Sequence, residues 1–161
     1  MEKQPPPTGR ILAMDLGKKR IGLALSDELR ITAQGLDTFH RVRIREDLDA
    51  LARLAEERQV CWIVLGDPKH MNGGVSRQQE YTHEFAERLK ERTGIEIDFW
   101  DERLTSTEAS RVLRSSGISI EKRAKAVDRL SAVLILENYL EYLQMKDGIS
   151  SVFGYGDEDE A

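Results

Sequence analysis

The 161-residue chain has one cysteine, Cys61, so no disulfide can form within it. Cys61 sits in the apolar run Val60 to Leu65, where it reads as a small buried hydrophobe rather than a nucleophile. Aromatics make up only 6% of residues, which poorly provisions the chain for stacking bases along a single strand. Trp62 and Trp100 fall in apolar runs and are expected in the core. The three histidines, at positions 40, 70 and 83, have no metal-ligand spacing, and only His70, in a loop, is worth testing as a functional group. Of four prolines, three stand together at positions 5–7 in a polar leader without an apolar core of the secretory type. No run approaches the roughly 18 apolar residues that span a bilayer. A reducing cytoplasm and no membrane partner are the expectation. Positive charge is also short: net charge is −5 and pI about 5.3, against a strongly basic nucleic-acid coat protein. Four of the acids stand at 157–160, however, and without them the balance is −1. Basic clusters survive at Lys18-Lys19-Arg20, at Arg41, Arg43 and Arg45, and at Lys122, Arg123, Lys125 and Arg129. Each of these, taken singly, also fits a solvated surface.

With 40% apolar and 33% charged residues, the chain has the composition of a folded domain with a real core. We divide it into a disordered leader (1–9), a single domain (10–145) and a flexible acidic tail (146–161). Arg10 to Met14 is apolar and predicts a first strand ending at Asp15. Alternation from Arg20 to Ser26 predicts a second, and Ile31 to Phe39 a third, weakened by Gly35. The period then changes: Leu48, Leu51, Ala52, Leu54 and Ala55 predict a helix over about 44–59. Val60 to Leu65 suits a strand buried on both faces, stopped by Gly66-Asp67-Pro68. Ser76 with Gln79 has the spacing of a capping box and opens a helix ending near Gly94. Ile95 to Trp100 is the next strand. A second capping box at Thr105 opens a helix to about Ser115, and a last helix runs over about 124–144. The order β-β-β-α-β-α-β-α-α predicts an α/β fold: a five-stranded mixed sheet, three antiparallel strands and then alternating helices and strands, with helices on both faces.

Three acids stand out: Asp15 and Glu102 after apolar runs, and Asp128 at the start of an apolar helical stretch. If they converge, each close pair costs about 4 kcal/mol at an effective dielectric of about 20, and a divalent cation would offset that repulsion. Singly they also fit plainer roles: Asp15 a strand-end or turn acid, Glu102 a surface partner of Arg103 or Lys125, Asp128 a helix-start charge.

The segments Leu12 to Asp27, Asp101 to Ser106 and Lys125 to Ala132 resemble, in order, the three motifs of the YqgF family. Members of that family are named for pre-16S ribosomal RNA nuclease activity and, earlier, for Holliday-junction resolution. The resemblance implies a ribonuclease H-like fold. It implies a metal-dependent endonuclease that hydrolyses phosphodiester bonds in structured nucleic acid, preferably at the 5′ end of pre-16S rRNA, with ribosomal precursor particles as a setting. It implies Asp15, Glu102 and Asp128 as catalytic metal ligands for two Mg²⁺ or Mn²⁺ ions, with Asp15 bridging. Lys18, Arg20, Thr105, Lys125 and Arg129 around the acids are the candidates for phosphate contact. The loop from Gly66 to Gly73 departs from the family pattern, with Asp67 where an apolar residue is usual and Asn72 where Asp is common; Asp67 reads as a solvated loop acid, or less simply as a further ligand. Asp101 reads as structural.

Rival functions are a DNA junction resolvase, which would be expected to dimerise, and a non-catalytic RNA-binding ribosome assembly factor. Asp15-Leu16-Gly17 also resembles the first phosphate motif of actin-like ATPases, but that architecture needs two such domains. The sequence leaves the choice of RNA or DNA and the oligomeric state open. On the convergent-acid reading, Asp128→Asn should keep or raise metal-free stability, because repulsion is relieved.

Overall fold

A computed structural model describes residues 3–68, 76–101 and 120–154, with side chains of the last segment described over 126–147. Two β-strands, β1 (Arg10–Leu16) and β2 (Arg20–Ser26), form an antiparallel pair in which Asp15 stands opposite Gly22. The Gly17 N–H donates to the Arg20 carbonyl at 2.9 Å and closes the turn between them. The expected third strand is two short ones, β3 (Ala33–Gly35) and β4 (Phe39–His40), both antiparallel to β2. Among the described residues the sheet therefore has six strands rather than five, in the order β3-β2-β1-β5-β6 with β4 also on β2. The divided segment contains Gly35 and Asp37, residues poorly suited to a continuous strand.

Helix α1 (Ile44–Glu57) leads into β5 (Val60–Asp67), α2 (Arg77–Thr93) into β6 (Ile97–Asp101), and α3 (Ile120–Gly154) follows. Strands β1, β5 and β6 are mutually parallel. Ser76 accepts the Gln79 N–H at 3.0 Å, so the predicted cap of α2 forms, and Gly94 ends the helix at φ 72°, where an added side chain would be strained. The Gln79 side chain does not complete the box; it reaches Asp67 instead. Helix α3 is longer at both ends than the spacing predicts, and the helix expected over 105–115 lies outside the described residues.

Helices cover both sheet faces, which is why β1 and β5 are apolar almost throughout. Leu12, Met14 and Leu16 of β1 point toward α1 and α2 and pack with Leu48, Leu51, Phe85 and Leu89. Ile11 and Ala13 point the other way and pack with Ala132, Ile135, Leu136 and Tyr139 of α3. Trp62 is buried on this second face, and its indole N–H donates to the Tyr139 hydroxyl at 2.9 Å, which donates in turn to Asp98 at 2.9 Å. Trp100 is partly buried against the same cluster. Cys61 is half-buried rather than sealed in the core, with Sγ 3.7 Å from the Thr8 carbonyl and 3.6 Å from an Arg30 nitrogen. Among the described residues no helix is long and apolar enough to cross a membrane.

Candidate active site

Strand alternation decides which way Asp15 faces. Ile11 and Ala13 contact α3, and Asp15 is next in that series, at the carboxyl end of a central strand. Its cross-strand partner is Gly22. A Cβ on Gly22 would lie 1.9 Å from the Asp128 carbonyl oxygen and 3.3 Å from the Asp128 Cα. Helix α3 can therefore rest its backbone on β2 only because residue 22 has no side chain. The result is that Asp128 sits over the strand position beside Asp15, although 113 residues separate the two in sequence.

Arg20, two residues before Gly22, supplies local countercharge. Its Nε donates to Asp128 Oδ2 at 2.7 Å, with the side chains 33% and 21% exposed. Arg129 Nη2 donates to the Gly35 carbonyl at 2.9 Å, so this expected phosphate contact also fastens α3 to β3. Lys18 is exposed in the β1–β2 turn. Glu102 and Thr105 lie outside the described residues, as do the side chain of Lys125 and residues 69–75, which include His70 and Asn72. Glu102 follows directly on β6, whose last residue is Asp101.

Asp67 corrects the reading of it as a solvated loop acid. It ends β5, is 3% exposed, and stands in register with Asp101 of β6. Gln79 Nε2 donates to it at 3.3 Å, and His83 Nε2 lies 3.3 Å from its other oxygen. The His83 ring is stacked on Phe99 at 4.0 Å between centroids. Period-two spacing from Ile63 and Leu65 would have placed Asp67 on the α2 face, opposite to that of Asp15. His83, dismissed for lack of metal spacing, is thus a helix residue that pins the end of β5.

Asp15 and Asp128 are carboxylates on neighbouring strand and helix positions, and such hard oxygen donors suit Mg²⁺ or Mn²⁺ better than a soft metal. Among the described residues no group of three or more histidine, cysteine, aspartate or glutamate side chains forms a metal cage. Carboxylates are the donors a divalent ion of this kind takes, and Glu102, the third acid of the expected set, lies outside the described residues.

Residues 9–142 match the family described as RuvX, Holliday junction resolvase. The chain belongs to the RuvX family. The resemblance read from the three motifs is thereby borne out. A relative from Koribacter versatilis (strain Ellin345), named "Putative pre-16S rRNA nuclease", is 53% identical over 133 residues, covering 83% of this chain and 87% of that protein. In fold, this RuvX-family chain is similar to RuvC of Thermus thermophilus, with a TM-score of 0.53 at 10% identity, covering 85% of this chain and 96% of the other. It is likewise similar to the Fowlpox virus resolvase solved with its substrate Holliday junction DNA, with a TM-score of 0.55 at 14% identity and coverage of 83% and 98%. The expected ribonuclease H-like fold is the one observed.

Proposed function

We propose that this chain is a metal-dependent endonuclease that hydrolyses phosphodiester bonds in structured nucleic acid, and that it processes the 5′ end of pre-16S rRNA in the cytoplasm. One observation carries the catalytic part of this reading: Gly22 seats the backbone of Asp128 beside the strand position of Asp15. The pre-16S rRNA part rests on the name of the Koribacter relative.

Asp15, Glu102 and Asp128 would hold Mg²⁺ or Mn²⁺, which when bound activates water and stabilises the leaving oxygen. Asp15 is set by a strand whose neighbours on both sides are hydrogen-bonded, so its backbone is rigid. Asp128 is oriented by Arg20, which holds one carboxylate oxygen and leaves the other to a ligand. Lys18 and Arg129 are close enough along the chain to meet phosphates that flank the cleaved bond, and Thr105 and Lys125 are assigned the same role. Such contacts fix the substrate's position without reading its sequence.

The second reading, resolution of DNA four-way junctions, is favoured by the family's description. One assay separates them: purified protein with Mn²⁺ and a precursor-rRNA fragment, a four-way DNA junction or unstructured single-stranded RNA, beside the Asp15→Asn variant as control. Cleavage of the precursor fragment by the wild type alone is expected. Cleavage confined to the junction would favour the second reading. Equal cleavage by Asp15→Asn, or none by either protein, would overturn the nuclease assignment.

A further inference from the structure

The β1–β2 turn borders a cleft of about 410 Å³ on the side of the sheet away from Asp128. It is lined by Lys18, Lys19, Arg41, Arg43 and Tyr81, with Asp47 at its base. Arg41 builds it. Its Nη1 donates to the Gly17 carbonyl at 2.9 Å, its Nη2 to the Tyr81 hydroxyl at 2.6 Å, and its Nε to Asp47 at 3.2 Å. Its guanidinium also lies 5.6 Å from the Tyr81 ring centroid and 5.4 Å from that of Phe85. One arginine, its side chain 8% exposed, thus ties together the turn after Asp15, the start of α1 and the first turns of α2. Asp47, 2% exposed, is committed to Arg41 and to the Val42 N–H, which it accepts at 2.9 Å.

The remaining cations differ. Lys18, Lys19 and Arg43 are exposed and make no ion pair or side-chain hydrogen bond among the described residues. Among the described residues, three positive side chains without an acidic partner therefore rim a cleft whose one lining acid, Asp47, is already paired. Tyr81, a residue 43% exposed, stands beside them with its hydroxyl anchored. Exposed cations lining a cleft with an aromatic side chain beside them are the groups that hold the phosphates and one base of a nucleic-acid strand. An exposed aromatic side chain can stack on a base only where that base is not already paired within a duplex, so the cleft suits an unpaired strand.

We propose that this cleft holds the phosphodiester backbone of an unpaired stretch of substrate flanking the bond cut at Asp15 and Asp128, with Lys19 and Arg43 as phosphate contacts and Tyr81 as a stacking face. The inference rests on the nuclease reading for which strand is bound, and its test is independent of cleavage. Binding is measured in the Asp15→Asn background with Mn²⁺, using an RNA hairpin with an unpaired extension, the same hairpin blunt-ended, and DNA counterparts of both. Lys19→Gln with Arg43→Gln removes two phosphate contacts at exposed positions, so thermal unfolding should be unchanged. Affinity for the extended hairpin should fall about tenfold near physiological salt, and the slope of log affinity against log salt should shrink by about 1.4. Tyr81→Phe should keep the stacking contribution, and Tyr81→Ala should lose it. Equal affinities and slopes in the double variant would overturn the proposal, as would an equal loss on blunt and extended hairpins. Extension-specific loss in a protein that cuts nothing would leave the cleft standing while the nuclease reading fails. Cleavage with no such loss would do the reverse.

Discussion

Arg20 Nε and Asp128 Oδ2 meet at 2.7 Å across 108 residues of sequence, joining the start of β2 to the first described turns of α3. The pair changes the expected effect of neutralising Asp128. Asp128 has a partner already, so removing its charge frees Arg20 rather than relieving a bare repulsion. Asp128→Asn should therefore lower metal-free stability, by about 1 kcal/mol or less for a pair this exposed. Urea unfolding of the single variants and of Asp128→Asn with Arg20→Gln, as a double-mutant cycle, would measure the coupling. A rise in stability for Asp128→Asn would restore the repulsion view. Cleavage should be lost in either case.

Gly22→Ala tests the seat of α3. The new methyl would meet backbone, which cannot swing away as a side chain can. Overpacking typically costs about 1–3 kcal/mol, and displacing α3 also displaces Asp128 from Asp15. Both thermal stability and cleavage should fall. Full activity with unchanged unfolding would mean that the helix does not depend on this contact.

Tyr139→Phe breaks a relay of two hydrogen bonds in the α3 face of the core. The buried Trp62 N–H loses its acceptor and Asp98 loses a donor, at a cost of about 1–3 kcal/mol. Denaturant unfolding reads the loss directly. Burial, reinforced by the neighbouring Asp98 carboxylate, pushes the Tyr139 phenol above its ordinary range. Alkaline spectrophotometric titration should find one tyrosine that does not ionise while the fold persists.

Asp27 supplies an acid-sensitive contribution. Thr32 and Ile31 donate backbone N–H groups to its Oδ1 at 2.8 and 2.7 Å, and these bonds hold its carboxyl below the ordinary value. A depressed folded value stabilises the fold above the unfolded aspartate's pKa, and that contribution disappears as pH falls through the folded value. The gap in urea midpoint between wild type and Asp27→Ala should be largest near neutrality and shrink at strongly acidic pH. A gap independent of pH would show that the turn gains nothing from the ionised form.

Local chemistry explains what was legible in advance. The ends of α2 followed from Ser76 and Gly94, whose effects on capping and backbone conformation act within a few residues. Strands β1, β2 and β5 followed from apolar patterning, and Asp15 at the end of β1 followed with them. The third strand was overdrawn because its division into β3 and β4 depends on how each piece pairs with β2. Asp67 was misread for a similar reason: a stop signal at Pro68 said where the strand ended, while His83 and Gln79, which bury the acid, come from the next helix.

The sequence by itself determined the family and, apart from the divided third strand, the order of the described elements, since motifs and periodicities are properties of neighbouring residues. Only the tertiary structure decided that Gly22 brings Asp128 to Asp15, that Arg20 is Asp128's partner, and that Arg41 shapes a cationic cleft from three separate elements. Those outcomes depend on close approach between chain segments far apart in sequence, and no local pattern encodes which surfaces touch.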